Sequence, residues 1–437
     1  MSNKVKTISE VLVVGAGPVG MFTALRLAEN GIGVQLIDQE SCTAGHSYAC
    51  ALHPRTLQLL DEVGIAQDAI KLGHLIETVA FYEGANRRAE IKLSLLPVQF
   101  PFVLVLPQNA IEDLLEQKLK QKAGVEVRWN HRLADLEMKN GVATATIDEL
   151  AMEGKGYSVP DFEMAVKKTL SINAEFVVGA DGQGSIVRQR LNIDYERVGK
   201  PQLFEVYEFE TNAQLPSEIR IVLDQHMVGV LWPFTQNKGR WSIQWLRANA
   251  LSDFPPKTRS TFTIADSPGP DDNRHHLHKL LSVHAPWFQA EIKDVGWVKE
   301  VQFEDRLARQ FGRDRAWLAG DAAHQTGPVG MQSMNMGFCE GADLAGKLTR
   351  ILRDKGSSDL LENYDLERRM EWEQLLGLKG GPQASALADE WIRGRSAQIP
   401  ACIPASGMEL TLLLHQLGLE FKPPYLDKVE VEGAVLA

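Results

Sequence analysis

The sequence predicts an α/β fold in which a domain built on a parallel sheet is interleaved with a β-rich domain and followed by a helical tail. An apolar strand, a glycine turn, a helix and a second strand follow one another between residues 11 and 38. Residues 201–300 alternate Trp, Phe and Val with polar residues, and helical patterns return after residue 335. Because the β-rich part lies between two helix-containing parts, the sequence predicts two domains that share the chain.

The predicted domains are discontinuous. Short apolar stretches precede the helix that starts near residue 108, and we expect them to join the β-rich part. Prolines such as Pro400 and Pro404 interrupt the tail. We assign residues 1–82, 108–200 and 301–375 to the parallel-sheet domain, residues 83–107 and 201–300 to the β-rich domain, and residues 376–437 to a C-terminal helical or irregular segment.

The composition is that of an ordinary globular protein. With 437 residues, 44% of them hydrophobic, the chain can bury a large core. A net charge of −11 without a run of Lys or Arg argues against a nucleic-acid partner. No apolar run is long enough to cross a membrane, and the four cysteines are too scattered for a disulfide framework or a thiolate metal site. We therefore expect a cytoplasmic monomer or homodimer without an integral membrane segment or a bound metal.

The turn after the first strand has the glycine spacing of a dinucleotide site. Gly15 permits a sharp turn, Gly17 lets the backbone approach a pyrophosphate, and Gly20 lets the helix pack close to the strand. Asp38, at the end of the second strand, can accept hydroxyl hydrogens from an adenosine ribose. An ordinary βαβ turn with a solvated acid is the alternative, and the motif alone does not choose between NAD and FAD. The residues assigned to this Rossmann-like site are Gly15, Gly17, Pro18, Val19, Gly20 and Asp38.

Two later segments also place a glycine beside an aspartate after an apolar strand. One contains Asp181 and Gly182, and the other contains Gly320 and Asp321. With the N-terminal motif, and in this order, they resemble the three-part signature of the FAD-dependent aromatic hydroxylases, the single-component flavoprotein monooxygenases typified by 4-hydroxybenzoate hydroxylase. The resemblance runs from about residue 10 to residue 375 and implies FAD as the cofactor.

The resemblance also implies roles for individual residues. Asp321 would hold a ribityl hydroxyl, Gln108 would contact the flavin, and Asp181 would lie near both FAD and the nicotinamide donor. Taken alone, Asp321 could instead be a solvated helix cap. Beyond the N-terminal motif, the predicted cofactor residues are Gln108, Asp181, Gly320, Asp321, Pro328, Gly330, Met334 and Asn335.

The chain departs from the family pattern next to the flavin. Where the family usually has Pro-x-Gly-Gly-x-Gly-x-Asn, Met331 and Ser333 replace the last two glycines, and Tyr48 stands where most members carry an arginine facing the FAD phosphates. Side chains at 331 and 333 restrict backbone angles that glycine leaves open. We therefore expect looser substrate control of the flavin, with some NAD(P)H oxidation and hydrogen peroxide release without substrate.

The resemblance implies a monooxygenase. NADH or NADPH would reduce FAD, O2 would add to give a flavin hydroperoxide, and its distal oxygen would pass to an aromatic or polycyclic phenolic small molecule. Since the cofactor carries most of this chemistry, no catalytic side chain is assigned. A flavin reductase or dehydrogenase of the same fold, without oxygen transfer, and a catalytically silent FAD-binding protein remain alternatives.

The substrate is expected between the flavin and the β-rich domain, which would then be the substrate domain. Aromatic residues on a half-buried sheet are more often plain core than pocket lining. No arginine is placed so as to indicate a carboxylated substrate. The candidate substrate residues are Trp232, Phe234, Gln244 and Tyr207.

Overall fold

The computed structural model describes residues 9–45, 49–121, 125–139, 141–155, 161–246, 270–386 and 388–420. Its first sheet has mostly parallel strands. Strand β1 (Ser9–Val14) lies between β2 (Val34–Ile37) and β11 (Asp161–Gly179), with β8 (Val127–Arg128) beyond β2 and β20 (Ala316–Leu318) beyond β11. Five of the six residues of β1 are buried, as expected for a central strand covered on both faces.

Helices cover this sheet. Helix α1 (Pro18–Glu29) follows β1, and α7 (Gln332–Asp354) packs closely against it because Gly341 leaves no side chain between them. A Cβ at Gly341 would lie 2.4 Å from Thr23 Oγ1. The helices of this part of the chain are α1 (Pro18–Glu29), α2 (Pro54–Glu62), α3 (Ala66–Leu72), α4 (Gln108–Gln121), α5 (Ile186–Arg190), α7 (Gln332–Asp354) and α8 (Asp359–Leu375).

An antiparallel extension leaves the sheet beside β11. Strand β10 (Val142–Lys155) pairs with β11 on one side and with β9 (His131–Lys139) on the other, and β19 (Gly312–Arg313) pairs with β20 at the opposite edge. The polar residues from about 149 onward are typical of a surface loop, but the pairing of β10 with β11 continues as far as Lys155 and Asp161. The polar composition there reflects a two-stranded ribbon whose faces are largely uncovered, not an interruption of the strands.

The second sheet has seven strands. Their order across the sheet is β17 (Ile292–Phe303), β13 (Gln202–Thr211), β16 (Lys238–Trp245), β15 (Met227–Pro233), β14 (Ile219–Leu223), β5 (Thr78–Glu83) and β6 (Asn86–Lys92). This sheet therefore begins at Thr78 and not at the predicted residue 83. Strand β7 (Val103–Val105), expected in the same domain, instead pairs with β3 (Ala51–Leu52) and β4 (His74–Ile76) in a separate sheet. Apolar runs as short as these do not reveal their partners in the sequence.

The two faces of the seven-stranded sheet have different neighbours. Register places Phe204, Gln244 and Val228 opposite one another, and this face, called the inner face below, shares a core with Val329 and Met331. The other face packs beneath α6 (Pro270–His284), which contributes Leu277 and Leu281. We call it the outer face.

The C-terminal segment contacts both parts of the molecule. Gln416 exchanges two hydrogen bonds with the backbone of Lys92 on β6, and Gln332 Nε2 at the start of α7 donates to the carbonyl oxygen of Ile403 at 2.7 Å. No helix within the described ranges is both long and apolar enough to cross a membrane. The remaining elements are β12 (Tyr195–Arg197), β18 (Arg306–Ala308), β21 (His324–Gln325), β22 (Gln383–Ala384), β23 (Leu419–Glu420), α9 (Glu390–Arg393), α10 (Ile399–Cys402) and α11 (Gly407–His415).

Candidate functional site

Two of the three motif glycines in the turn after β1 are required by the packing of the protein itself, and the third is not. At Gly15, where φ is 102°, a Cβ would lie 2.2 Å from the Ala180 carbonyl oxygen, and at Gly20 it would lie 1.9 Å from the Gly15 carbonyl oxygen. Gly17 has φ −70° and nothing within 4 Å of its Cβ position. The packing therefore requires glycine at 15 and 20, whereas glycine at 17 keeps a space in front of the turn open.

That open space faces the start of α1. Gly17 precedes the helix, and Pro18 and Val19 are the first helical residues. Because glycine has no side chain, the N–H groups at this end donate no hydrogen bond to a capping side chain. The first N–H groups of a helix lack partners within the helix, and the helix dipole favours negative charge at this end. The turn is thus suited to a pyrophosphate.

Asp38 lies at the rim of the same turn. Its Oδ2 accepts a hydrogen bond from the Ala16 N–H at 2.5 Å, and its Oδ1 accepts one from the Glu40 N–H at 2.8 Å. Each carboxylate oxygen can accept a second hydrogen bond. Asp38 is therefore fixed by the backbone and can still accept ribose hydroxyls.

The three sequence motifs meet at the carboxyl ends of adjacent parallel strands. A Cβ on Gly15 would also lie 2.8 Å from the Cα of Asp181, and one on Gly320 would lie 3.1 Å from Val19 Cγ2. Strands β1, β11 and β20 are neighbours in the sheet. In sheets of this kind, ligands bind beyond the carboxyl ends of the strands.

Asp321 follows β20 in a single 3-10 turn, Gly320–Ala322. Its side chain is exposed, and its Oδ1 accepts a hydrogen bond from Ser333 Oγ at 2.6 Å. Asp321 caps no helix, because the residue preceding this turn is Ala319 and the one preceding α7 is Met331. Desolvation by the surrounding protein atoms raises the pKa of the Asp321 carboxyl, while the charge of His324 and the Ser333 hydrogen bond act in the opposite direction.

The comparison with known families agrees with this geometry. Residues 8–377 match the family model described as FAD binding domain. The chain belongs to this family. The predicted resemblance and the cofactor are confirmed, and the site fits FAD: the space at Gly17 suits the pyrophosphate, and Asp38 and Asp321 offer carboxylates for hydroxyl groups.

Two curated relatives of the chain are named as monooxygenases. Over 377 residues it is 28% identical to para-nitrophenol 4-monooxygenase of Pseudomonas sp. (strain WBC-3), with 83% of each chain covered. It is 25% identical to pentachlorophenol 4-monooxygenase of Sphingobium chlorophenolicum, covering 84% of this chain and 63% of that enzyme.

Solved structures show the same fold. The chain superposes on p-nitrophenol 4-monooxygenase PnpA from Pseudomonas putida DLL-E4 with a TM-score of 0.70 at 22% identity, covering 94% of this chain and 95% of that one. The monooxygenase PieE, solved with FAD and substrate, gives a TM-score of 0.64 at 19% identity, covering 83% and 61%. The predicted α/β architecture, with its C-terminal helices, is confirmed.

Two predicted FAD residues have their side chains occupied by protein groups. Asp181 Oδ1 accepts from Ser185 Oγ at 2.5 Å, and its Oδ2 accepts from the N–H groups of Ile186 and Val187, so Asp181 holds the start of α5. Gln108 Nε2 donates to the buried Glu112 at 2.6 Å. Direct contacts of Asp181 and Gln108 with FAD stay predictions, as does the effect of Tyr48, which lies outside the described residues.

The flavin segment, defined here as residues 327–335, is held by the protein on several sides. A Cβ on Gly330 would lie 2.3 Å from the Ala401 carbonyl oxygen, and the His53 ring nitrogen Nε2 is 3.0 Å from the Gly330 carbonyl oxygen. Burial lowers the pKa of His53 to about 3, so this ring is neutral and Nε2 donates. Met331 has φ 55°, in the left-handed region where the family pattern has glycine. Pro328 and Met334 are buried in this segment.

Asn335 is the most fully bonded residue of the segment. Its Oδ1 accepts from the N–H of His53 at 2.8 Å and from Thr56 Oγ1 at 2.7 Å. Its Nδ2 donates to the carbonyl oxygens of Ala51 and Met331. The side chain therefore ties α7 to β3 and α2, and a contact with FAD, which stays a prediction, would have to come from its backbone.

Three of the four predicted substrate residues lie on the inner face of the sheet, and Tyr207 lies on the outer face. Trp232 is fully buried, and Phe234 packs against the guanidinium of Arg240. Gln244 is half-buried on the inner face. Tyr207 lies on the outer face beneath α6 and donates to Glu205 at 2.5 Å, so it cannot share a pocket with Gln244. The sequence showed the alternation of the strands but not which face turns toward the cofactor.

A series of hydrogen-bonded side chains on the inner face was not predicted from the sequence. Gln244 Nε2 donates to Gln202 Oε1 at 2.9 Å, and Gln202 Nε2 donates to Asp305 Oδ2 at 2.7 Å. The Asp305 carboxylate in turn accepts from the Gly327 N–H, at the start of the flavin segment. Burial raises the pKa of Asp305 to about 6. These residues come from distant parts of the chain, and no local pattern marks them.

Arg240 was also missed. It is 2% exposed, shares the inner face with Trp232, and forms an ion pair with Glu208. The Arg-x-Ser-x-Gln alternation of β16, from Arg240 to Gln244, was the available signal: it predicts polar groups on one face of a strand that is otherwise apolar.

Proposed function

We propose that this chain is an FAD-dependent monooxygenase that uses NADH or NADPH and O2 to hydroxylate an aromatic or polycyclic phenolic small molecule. The observation that carries the proposal is the direct packing of the flavin segment against the inner face of the sheet. A Cβ on Gly327 would lie 2.3 Å from the Phe204 ring, and Asp305 binds the Gly327 N–H. A substrate on this face would therefore adjoin the reacting end of the cofactor.

When bound, FAD supplies the electron transfer and oxygen activation, and the protein supplies binding, orientation and exclusion of water. Gly17, Asp38 and Asp321 would hold the pyrophosphate, ribose and ribityl parts. Phe204 and Phe303, whose rings meet edge to face at 5.3 Å, form an apolar wall that excludes water. The amides of Gln202 and Gln244 provide neutral hydrogen-bonding groups beside that wall.

The charges on the inner face favour a substrate without a carboxylate. The charge of Arg240 is compensated by Glu208, with which it forms an ion pair. Removing one partner of a buried ion pair leaves an uncompensated charge, which is strongly destabilising. The charge of Arg240 is thus used by its ion pair with Glu208 and does not serve a substrate. The half-buried amides of Gln202 and Gln244 are better suited to a phenol hydroxyl than to an anion.

The named relatives support a phenolic substrate and leave its size open. They act, by name, on single rings such as para-nitrophenol and pentachlorophenol, and on the polycyclic 6-methylpretetramide, whose enzyme is 27% identical to this chain. We propose the cytoplasm as the location, since NAD(P)H is available there.

The test is to reconstitute the protein with FAD and follow its anaerobic reduction by NADH and by NADPH, with and without each member of a phenol and polyketide library. The hit compound is then incubated aerobically under 18O2. We expect one compound to accelerate flavin bleaching and to gain one labelled oxygen. Reduction without labelled product would establish a reductase or dehydrogenase, and bound FAD that neither nicotinamide reduces would establish a silent FAD-binding protein.

A further inference from the structure

The hydroxyl of Ser333 joins two separate parts of the cofactor site. Ser333 lies in the first turn of α7, whereas Asp321 lies in the turn after β20. Ser333 Oγ donates to Asp321 Oδ1 at 2.6 Å, a short distance typical of a hydroxyl bonded to a carboxylate. A glycine at position 333 would leave Asp321 without this bond.

A buried acid and a histidine stand behind Ser333. His324 Nδ1 is 3.4 Å from Ser333 Oγ, and His324 Nε2 is 2.9 Å from Glu340 Oε2. Both His324 and Glu340 have no exposed surface. The Glu340 carboxylate also accepts hydrogen bonds from the Gly320 N–H at 2.8 Å and from Trp372 Nε1 at 2.7 Å. Glu340 is therefore held from three sides, and its position fixes that of His324.

This arrangement determines where the Ser333 proton points. A hydroxyl has one hydrogen to donate, and Asp321 is much closer to it than the His324 nitrogen is. The ring of His324 stacks on Trp372, with centroids 3.9 Å apart, so the histidine cannot swing toward Ser333. The hydroxyl is thus directed to Asp321.

Within the described parts of the chain, Ser333 supplies the one side-chain hydrogen bond that the Asp321 carboxylate accepts. Its side chain is exposed, and ordering an exposed side chain on ligand binding has an entropic cost. The nearby Tyr195 hydroxyl donates to the backbone carbonyl oxygen of Asp321 and not to its carboxylate. A hydrogen bond to Oδ1 would hold the carboxylate in one orientation and leave Oδ2 able to accept a hydroxyl of a ligand.

We propose that Ser333 is a positioning residue that preorganises Asp321 for the ribityl chain of FAD. The proposal rests on the assignment of FAD to the site formed by Gly17, Asp38 and Asp321, not on the hydroxylation reaction. Ser333 thereby has a role beyond restricting the backbone, which was all that the sequence suggested. The hydroxyl, not the small size of the residue, is the feature that matters.

The experiment measures FAD affinity of the FAD-free full chain by titration of flavin fluorescence. We expect Ser333→Ala to raise the Kd about tenfold, the loss expected for one hydrogen bond to a charged group. Ser333→Thr keeps the hydroxyl and should stay within about twofold of the native Kd. Thr349→Ala removes another hydroxyl of α7, which donates to the Ala345 carbonyl oxygen, and should leave the Kd unchanged.

A double-mutant cycle decides whether Ser333 acts through Asp321. Asp321→Ala should weaken FAD binding, and adding Ser333→Ala to that variant should change the Kd no further. An additive effect of the two changes, or a Kd unaltered by Ser333→Ala alone, would overturn the proposal. Failure of the native chain to bind FAD at all would instead overturn the cofactor assignment on which the proposed function depends, so the two failures are distinguishable.

Discussion

Met331 and Lys355 flank α7 with nearly the same left-handed backbone, φ 55° at one end and φ 56° at the other. A side chain in this region costs about 1–2 kcal/mol relative to glycine. The two residues differ in burial, because Met331 is 3% exposed within the inner-face core and Lys355 is exposed. They therefore form a matched pair for separating backbone strain from packing.

We predict that Met331→Gly destabilises the protein by about 1–3 kcal/mol, because losing a buried methionine costs more than the relief of strain returns. Lys355→Gly loses no packing and should stabilise by about 0.5–1 kcal/mol. Urea unfolding of the FAD-free variants measures both. Stabilisation by Met331→Gly would show that its side chain contributes little to the core.

Met331 and Ser333 should affect the flavin in different ways. The sequence suggested that Met331 and Ser333 act alike by stiffening the segment, whereas the structure gives Met331 a packing role and Ser333 a bond to Asp321. The loose coupling expected from these departures stays a prediction. Because the two glycine changes should have different effects, each is to be tested singly.

A second prediction concerns Gly17. Gly17→Ala should weaken FAD binding on the order of tenfold, since the methyl group enters the space kept open for the pyrophosphate. The FAD-free protein should lose at most about 1 kcal/mol, because alanine caps a helix less well than glycine.

The matched control for Gly17 is Gly15→Ala. Its Cβ would lie 2.2 Å from the Ala180 carbonyl oxygen, so we expect it to destabilise the FAD-free protein by about 3 kcal/mol or more. Fluorescence titration and thermal unfolding separate the two effects. Equal loss of stability in both variants would mean that Gly17 serves the fold and not the cofactor.

The sequence predicted those parts of the site that depend on local backbone geometry. A tight turn or a close backbone approach restricts the residue type within a few positions, so it can be recognised from a short stretch of sequence. This applies to the turn from Gly15 to Gly20 with its acid Asp38, and to the Gly320–Asp321 turn. The sequence could not show that Tyr207 and Gln244 lie on opposite faces from one another relative to the flavin segment, because a strand pattern indicates that the two faces differ but not which one meets that segment. The hydrogen-bond partners of Gln202, Asp305 and Asn335 could not be predicted for another reason, because they are set by tertiary packing between distant segments.

Asn335 gives a third prediction. Asn335→Ala removes four hydrogen bonds and leaves the buried His53 N–H and Ala51 carbonyl oxygen without this partner. Each unsatisfied buried group costs about 1–3 kcal/mol, so we expect a loss of at least about 3 kcal/mol in the FAD-free protein. Chemical denaturation measures it. If the FAD-free variant were as stable as the native protein but bound FAD more weakly, Asn335 would contact the cofactor, as the sequence suggested, and would not be mainly structural.

The fourth prediction concerns the pH dependence of stability at Asp305. Its ordinary pKa of 3.8 is raised to about 6, first by burial, with the Gln202 and Gly327 hydrogen bonds acting in the opposite direction. A group whose pKa is higher in the folded state stabilises the fold below its unfolded pKa and loses that contribution as pH rises through the folded value. The native protein should therefore lose stability relative to Asp305→Asn between about pH 4 and pH 6.5, because the variant carries no charge to bury. A shift of this size corresponds to about 1–3 kcal/mol.

Gln202→Leu, which removes a donor to the carboxylate, should move the same transition to higher pH. Urea unfolding of the three proteins across this pH range measures their free energies of unfolding. If the difference in that free energy between the native protein and Asp305→Asn did not vary with pH, Asp305 would be better solvated than its position between Gln202 and Gly327 implies.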